Sequence, residues 1–100
     1  MIQIPTNREP YHPGEIILKE YLDPLGITQT ILAKDLLIPY QRINEIINRR
    51  RGVTLSTALR LAKYFNTSPS FWMNLQLRWD MYHAMKKEEK ILKSIHTFIR

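Results

Sequence analysis

The stretch QTILAKDLLIPYQRINEIIN, residues 29–48, decides the fold, because two helical patterns meet within it at a single proline. Pro39 has no amide hydrogen, and its ring pushes Ile38 out of the helical region, so the chain must turn between Leu37 and Pro39. Apolar residues recur at helical spacing on both sides of this turn: Leu32, Ala33 and Leu36 before it, and Ile43, Ile46 and Ile47 after it. A helix, a tight turn and a second helix over residues 28–48 form the arrangement that lays a helix across the major groove of DNA.

The remainder of the chain also shows helical spacing, and no stretch alternates like a strand. One helix is predicted over residues 13–22, with Pro24 and Gly26 ending it. The next two are predicted to begin after Thr28, as N-cap, and at Pro39. A fourth follows Thr54, and a fifth opens with Ser68-Pro69 and extends past Ile91. Five helices joined by short connections predict a compact all-α domain.

Composition narrows the class of protein and of partner. The chain has 100 residues, which suits one small domain, and 15 Lys and Arg against nine Asp and Glu give a net charge of +6. This excess favours a polyanion as partner. There is no cysteine, no apolar run long enough for a membrane span and no export signal at the amino terminus. A cytoplasmic protein without membrane contact is expected.

The third predicted helix leaves polar and aromatic side chains for contact with bases. Gln, Asn and Arg are the residue types that pair bidentately with base edges. Directly after this helix, Arg49, Arg50 and Arg51 form a cluster suited to phosphates, with Asn48 beside it. Gly52 is predicted to end the helix in a left-handed conformation and to aim the arginines outward. A solvated polar hairpin with a basic cap is the alternative interpretation.

The fifth predicted helix carries two apolar stripes, which require two surfaces to bury against. One surface is the domain itself, and a second copy of the chain would supply the other. A central helix of a small core is the alternative. The first stripe, predicted as the dimer interface, comprises Phe71, Trp72, Leu75, Trp79 and Tyr82, and Met73, Leu77, Met81 and Met85 form the second at a spacing of four.

No set of residues has the pattern of a catalytic or metal site. His12, His83 and His96 are spread over the chain without the spacing of metal ligands. His12 is instead expected to cap or order the first helix. Since no nucleophile, base or metal ligands cluster in the sequence, we predict that the chain is not an enzyme and requires no cofactor.

At this point the chain is identified as similar to a known family. HPGEIIL (residues 12–18), the helix-turn-helix and TSPSFWMNLQ (residues 67–76) resemble the HigA antitoxins, also called virulence-associated protein I, of the Xre/Cro-type helix-turn-helix group. The resemblance covers about residues 11–90. It implies a five-helix, λ-repressor-like domain that forms a homodimer, binds a palindromic operator, represses its own operon and neutralises a HigB-type toxin that cleaves mRNA.

The resemblance also assigns roles by position. It implies that residues 39–49 form the recognition helix, and that Gln29 and Thr30 touch phosphate through a helix N-terminus. The side chains nearest the bases would be those of Tyr40, Gln41, Arg42 and Asn44. The chain departs from the family pattern at Leu37, where the turn usually contains glycine.

Three functional hypotheses follow. The first is a sequence-specific DNA-binding antitoxin and autorepressor. The second is a stand-alone Xre-type repressor without a toxin partner, and the third is an interaction module that masks a toxin while its DNA binding is vestigial. In each case residues 1–10 are predicted as an unanchored arm, residues 11–92 as the domain with its dimerisation helix over 69–92, and residues 93–100 as a basic tail.

Overall fold

The computed structural model describes residues 8–99, which form six helices and no strand. The first helix, α1, is continuous through three segments, with a π-helical turn in the middle. In order, the helices are α1 (Pro13–Ile16, π-helical Ile17–Leu22 and Asp23–Leu25), α2 (Gln29–Leu36), α3 (Tyr40–Ile47), α4 (Leu55–Phe65), α5 (Pro69–Lys87) and α6 (Glu89–Ser94). The all-α prediction is confirmed, and the count is six because the predicted fifth helix divides at Glu88.

Side-chain caps start three of the helices where the sequence indicates. The hydroxyls of Thr28, Thr54 and Ser68 each accept a hydrogen bond from the backbone amide three residues later. Pro39 behaves differently from the prediction. It is the extended residue before α3, with φ −60° and ψ 142°, so the helix begins one residue later, at Tyr40.

The first four helices end in the same way, and only one of them uses glycine to do so. Gly26, Leu37, Arg49 and Asn66 all have φ near +60°. After each of them the next amide donates back to a carbonyl five positions earlier, for example Ile38 N to Ala33 O at 3.1 Å. This is the Schellman ending, whose left-handed residue is usually glycine. Propensity therefore locates one of the four endings and misses the other three.

Pro24 lies inside α1 and does not end it, so that part of the prediction is wrong. In the π-helical segment before it, bonds reach five residues back, as from Asp23 N to Leu18 O. A proline ring normally collides with the carbonyl four residues earlier, and it donates no hydrogen bond. The wider turn just before Pro24 accommodates the ring, and the helix continues until Gly26 turns left-handed.

The core gathers α1 to α4 around the first turns of α5. Its fully buried members include Ile17, Leu32, Ile43, Leu61 and Trp72. At the start of α1, Gly14 is pressed onto α3 so closely that a Cβ there would overlap the carbonyl oxygen of Ile46. A residue with a side chain would force the two backbones apart, so Gly14 fixes how α1 sits against α3.

His12 caps this contact, as the sequence predicts. The side chain is 2% exposed, and its Nδ1 accepts a hydrogen bond from Gly14 N at 2.9 Å. The indole of Trp79 lies edge-on to the imidazole, with ring centroids 4.9 Å apart. The imidazole thus joins the start of α1 to α5.

The carboxyl-terminal helices project from this core. Every buried residue of the described chain lies between His12 and Gln76, and the molecule measures 54 × 24 × 22 Å. Within residues 8–99 no helix combines the length and apolarity that a membrane span needs. Residues 1–7 of the predicted arm lie outside the described residues. Its far end is anchored, contrary to the prediction, because Glu9 Oε2 lies 2.8 Å from His83 Nε2.

The burial of His12 predicts a dependence of stability on pH. Burial, reinforced by the charge of Arg49, holds the pKa of His12 below its ordinary value of 6.5. The unfolded chain therefore takes up this proton more readily, and stability falls as pH drops below about 6.5. Substitution His12→Asn retains a capping side chain that does not titrate. Thermal unfolding measured from pH 7.5 to 5.0 should show a shallower loss for this variant, and equal slopes would contradict the assignment.

Candidate nucleic-acid interface

Helix α3 separates a buried face from a polar one. Ile43, Ile46 and Ile47 are buried against the core. Of the residues predicted to contact bases, Tyr40 and Gln41 are exposed, and Arg42 and Asn44 are half-buried at the edge of the helix. None of the four is enclosed in the core, so their polar groups remain available at the surface.

One hydrogen bond joins the two helices of the motif through predicted contact residues. Asn44 Nδ2 donates to Gln29 Oε1 at 3.0 Å, which links α3 to the first residue of α2. The amide of Gln29 keeps its own donors, and Asn44 keeps one N–H and its Oδ1. A donor and an acceptor side by side match the edge of adenine, while Gln29 and the exposed Thr30 lie at the N-terminus of α2, where phosphate binds.

The arginine cluster follows a left-handed turn that differs from the predicted one. The residue with positive φ is Arg49, at 62°, and Gly52 is not in that region. Arg50 N donates to Glu45 O at 2.8 Å and Arg49 N donates to Ile46 O at 3.1 Å, which closes the end of α3. The prediction that Gly52 ends the helix is therefore wrong, because α3 ends at Ile47 and the chain has already turned three residues before the glycine.

Gly52 has another role, which involves a residue that the sequence analysis missed. A Cβ on Gly52 would lie within 3.0 Å of the side-chain amide of Gln76 on α5. That amide is buried; its Oε1 accepts from Val53 N at 2.7 Å and its Nε2 donates to Asp80 at 2.9 Å. Gln76 thus anchors the loop that carries the arginines. A polar residue between the apolar stripes of α5 was the available signal.

The three arginines are exposed, and two of them contact carboxylates of the same chain. Arg49 Nη1 lies 3.8 Å from Glu15, and Arg51 Nε donates to Glu45 Oε1 at 2.8 Å. The hydrogen bond from Arg51 lowers the pKa of Glu45, so this carboxylate is charged at neutral pH. Beside the cluster, Asn48 Nδ2 donates to the carbonyl oxygen of Asn44 at 2.9 Å, so this amide closes the end of α3.

The turn between α2 and α3 depends on a second missed residue, Arg60. Leu37 adopts φ 61° and ψ 41°, the conformation that glycine usually supplies. Arg60 Nη1 on α4 donates to the carbonyl oxygens of Leu36 and Leu37 at 2.9 and 2.8 Å. A guanidinium at this position also complements the negative end of the α2 dipole. A distant arginine therefore supports the turn without glycine.

The predicted dimer interface requires one correction. Trp72 is fully buried in the core of its own protomer, and its Nε1 donates to Thr67 Oγ1 at 2.8 Å, so it is unavailable to a second copy. The first stripe is one residue too wide because helical spacing does not show which member faces inward. Phe71 is exposed, and Leu75, Trp79 and Tyr82 are half-buried. In the second stripe, Leu77 and Met85 are exposed.

Comparison with known proteins places this geometry among helix-turn-helix proteins. The helix-turn-helix family matches the chain over residues 18–72. Virulence-associated protein I of Dichelobacter nodosus is 44% identical over 80 residues, which cover 80% of this chain and 74% of the relative. An addiction module antidote protein of the HigA family from Coxiella burnetii has a TM-score of 0.84 at 42% identity, covering 92% of this chain and 100% of the other. The Pseudomonas aeruginosa antitoxin HigA, solved with the higBA promoter, has a TM-score of 0.87 at 35% identity, covering 91% and 100%.

The strained turn predicts a stabilising substitution. Leu37 is 83% exposed, so its side chain contributes little packing, while its left-handed backbone costs roughly 1–2 kcal/mol. Part of this gain is offset by the greater freedom of glycine in the unfolded chain. Leu37→Gly should therefore raise stability by about 1 kcal/mol, seen as a higher midpoint of thermal unfolding. Leu37→Ala keeps the Cβ and is the control; an equal rise in that variant would show that backbone strain is not the cause.

Proposed function

The chain belongs to the helix-turn-helix family that includes the HigA antitoxins, and we propose that it is a sequence-specific DNA-binding antitoxin. It binds its own palindromic operator as a homodimer, represses transcription and neutralises a cognate HigB-type toxin that cleaves mRNA. Members of this family are regulators and antitoxins rather than enzymes, which confirms the prediction that the chain is not an enzyme.

One observation carries the DNA-binding part of the proposal. The polar edge of α3 continues directly into an arginine loop that α5 holds in place, on a chain with a net charge of +6. Base readers and phosphate ligands are thereby presented on adjoining surfaces, which is the division of labour that specific DNA recognition requires. The related HigA antitoxin of P. aeruginosa was solved with promoter DNA, which supports the same use here.

The roles follow from where the side chains lie. Tyr40, Gln41, Arg42 and Asn44 contact base edges. The N-terminus of α2, with Gln29 and Thr30, contacts the phosphate backbone on one side of the groove. The loop after α3 contacts it on the other side, through Asn48, Arg49, Arg50 and Arg51.

A homodimer matches the symmetry of a palindromic operator and places two copies of α3 roughly 34 Å apart. Apolar side chains of α5 that the protomer leaves uncovered support this part of the proposal. We assign the interface to Phe71, Leu75, Trp79 and Tyr82, with Leu77 and Met85 from the second stripe beside them. The domain then spans residues 11–92, and residues 93–100 are its basic tail.

Substitutions at the two kinds of contact should have different effects on DNA binding. The probe is the duplex that the wild-type chain selects from a random library, compared with a scrambled duplex in gel-shift titrations. Gln41→Ala should abolish much of the preference, by about 1–3 kcal/mol, and spare binding to the scrambled duplex. Changing Arg49, Arg50 and Arg51 together to alanine should weaken binding to both and reduce the salt slope by about 0.9 for each phosphate that is no longer neutralised.

A matched control removes the same charge elsewhere. Alanine at Lys86, Lys87 and Lys90, at the end of α5 and in α6, also removes three positive charges. This variant should retain selectivity and most of the affinity. If it loses as much affinity as the arginine variant, net charge rather than the loop governs binding; if Gln41→Ala weakens both duplexes equally, α3 is not the reading helix.

The antitoxin part is tested separately, by expressing the chain with the product of the adjacent gene. A toxin that stops growth when expressed alone should be neutralised by the chain and should purify with it. The variant with alanine at residues 49–51 should lose DNA binding and still neutralise, because the two activities use different surfaces. Absence of such a partner, with selective DNA binding intact, would favour the alternative of a stand-alone Xre-type repressor.

A further inference from the structure

A carboxylate lies within the surface that is proposed to meet DNA. Glu45 is on α3 between Asn44 and Ile46, one turn after Gln41, and its side chain is 25% exposed. A negative charge at the C-terminal end of a helix opposes the helix dipole, and beside phosphates it is repelled. Neither effect favours its presence, so the contacts that it makes determine what it contributes.

The two oxygens of this carboxylate contact one predicted base reader and one predicted phosphate ligand. Glu45 Oε1 accepts from Arg51 Nε at 2.8 Å, and Oε2 accepts from Gln41 Nε2 at 3.4 Å. The backbone of the same residue accepts from Arg50 N at 2.8 Å. Glu45 therefore holds both the loop and a side chain of the reading face in the free protein.

We propose that Glu45 is a specificity-determining positioning residue, which acts through Arg51 and Gln41 to suppress binding to non-operator DNA. This inference rests on the proposed DNA-binding function and adds a role to a residue outside the predicted contact set. The operator complex releases Arg51 to a phosphate, whereas complexes with other sequences leave the pair with Glu45 intact.

The reason is a competition between two anions for one guanidinium. Moving Arg51 from the carboxylate to a phosphate exchanges one charge-assisted hydrogen bond for another, so the exchange itself contributes little. It also leaves the charged Glu45 unpaired near the phosphate backbone, which is unfavourable. Only a complex in which base contacts supply additional binding free energy can drive the exchange, and non-specific complexes rest on phosphate contacts alone.

Direct reading of a base by Glu45 is the competing role, since a carboxylate can accept from the amino group of cytosine. The geometry favours positioning, because both carboxylate oxygens already accept hydrogen bonds within the chain. The two roles predict opposite results for removal of the charge: positioning predicts tighter binding to wrong sequences, and base reading predicts weaker binding to the right one.

The test is Glu45→Gln, measured by fluorescence anisotropy on the selected duplex and on a scrambled duplex of equal length, over a range of salt. Freed from the carboxylate, Arg51 should contact phosphate in non-specific complexes. Their salt slope should then steepen by about 0.9 per protomer, equivalent to about eightfold tighter binding at 0.1 M salt. Affinity for the selected duplex should change less, so the ratio of the two affinities falls.

Two further variants separate positioning from net charge and from folding. Glu20→Gln removes the same charge from an exposed carboxylate of α1 and should leave both the ratio and the salt slope as in wild type. Glu45→Gln made in an Arg51→Ala background should no longer tighten non-specific binding, because the released group is gone. Thermal unfolding should change little in Glu45→Gln, since an exposed ion pair contributes about 0–1 kcal/mol.

Three results would overturn the inference while leaving the proposed function in place. These are an unchanged affinity ratio in Glu45→Gln, a weakening confined to the selected duplex, and equal tightening in the Arg51→Ala background. A wild-type chain that selects no sequence from the library overturns the proposed function itself, and the inference with it.

Discussion

The contact of Gly14 with the carbonyl of Ile46 sets the position of everything that is proposed to meet DNA. Two helix backbones touch there without a side chain between them, and such a contact tolerates no adjustment by rotamer changes. His12 closes the start of α1 above this contact and touches Trp79 on α5. The orientation of α3 is thus determined from its buried side, by residues that have no part in the polar face itself.

Both ends of α3 are set by left-handed residues that are not glycine. Leu37 precedes the helix and Arg49 follows it, and each carries backbone strain that a helix ending with glycine would avoid. Hydrogen bonds from outside the local sequence offset this strain. Arg60 binds the carbonyls at the first turn, and Gln76 holds the loop beyond the second. The local sequence disfavours these turns, and packing against α4 and α5 enforces them.

The charge distribution around the arginine loop is mixed rather than uniformly positive. Glu15 and Glu45 contact Arg49 and Arg51, so part of the positive charge is compensated before any ligand arrives. A surface built only for affinity would present these arginines alone. Internal carboxylates reduce attraction to any phosphate backbone and leave base contacts to decide where binding is tight, which favours discrimination over affinity.

The sequence by itself determined the helices, their caps at Thr28, Thr54 and Ser68, the turn at Pro39 and the polar face of α3, because these depend on spacing and on local hydrogen bonds. Only the tertiary structure decided that Trp72 faces inward, that Pro24 stays within α1, that Leu37 and Arg49 turn left-handed, and that Arg60 and Gln76 support the two turns. The helix patterns repeat over three or four residues and are visible along the chain. The supporting contacts join residues more than 20 positions apart, and which partners meet is fixed by how the helices pack.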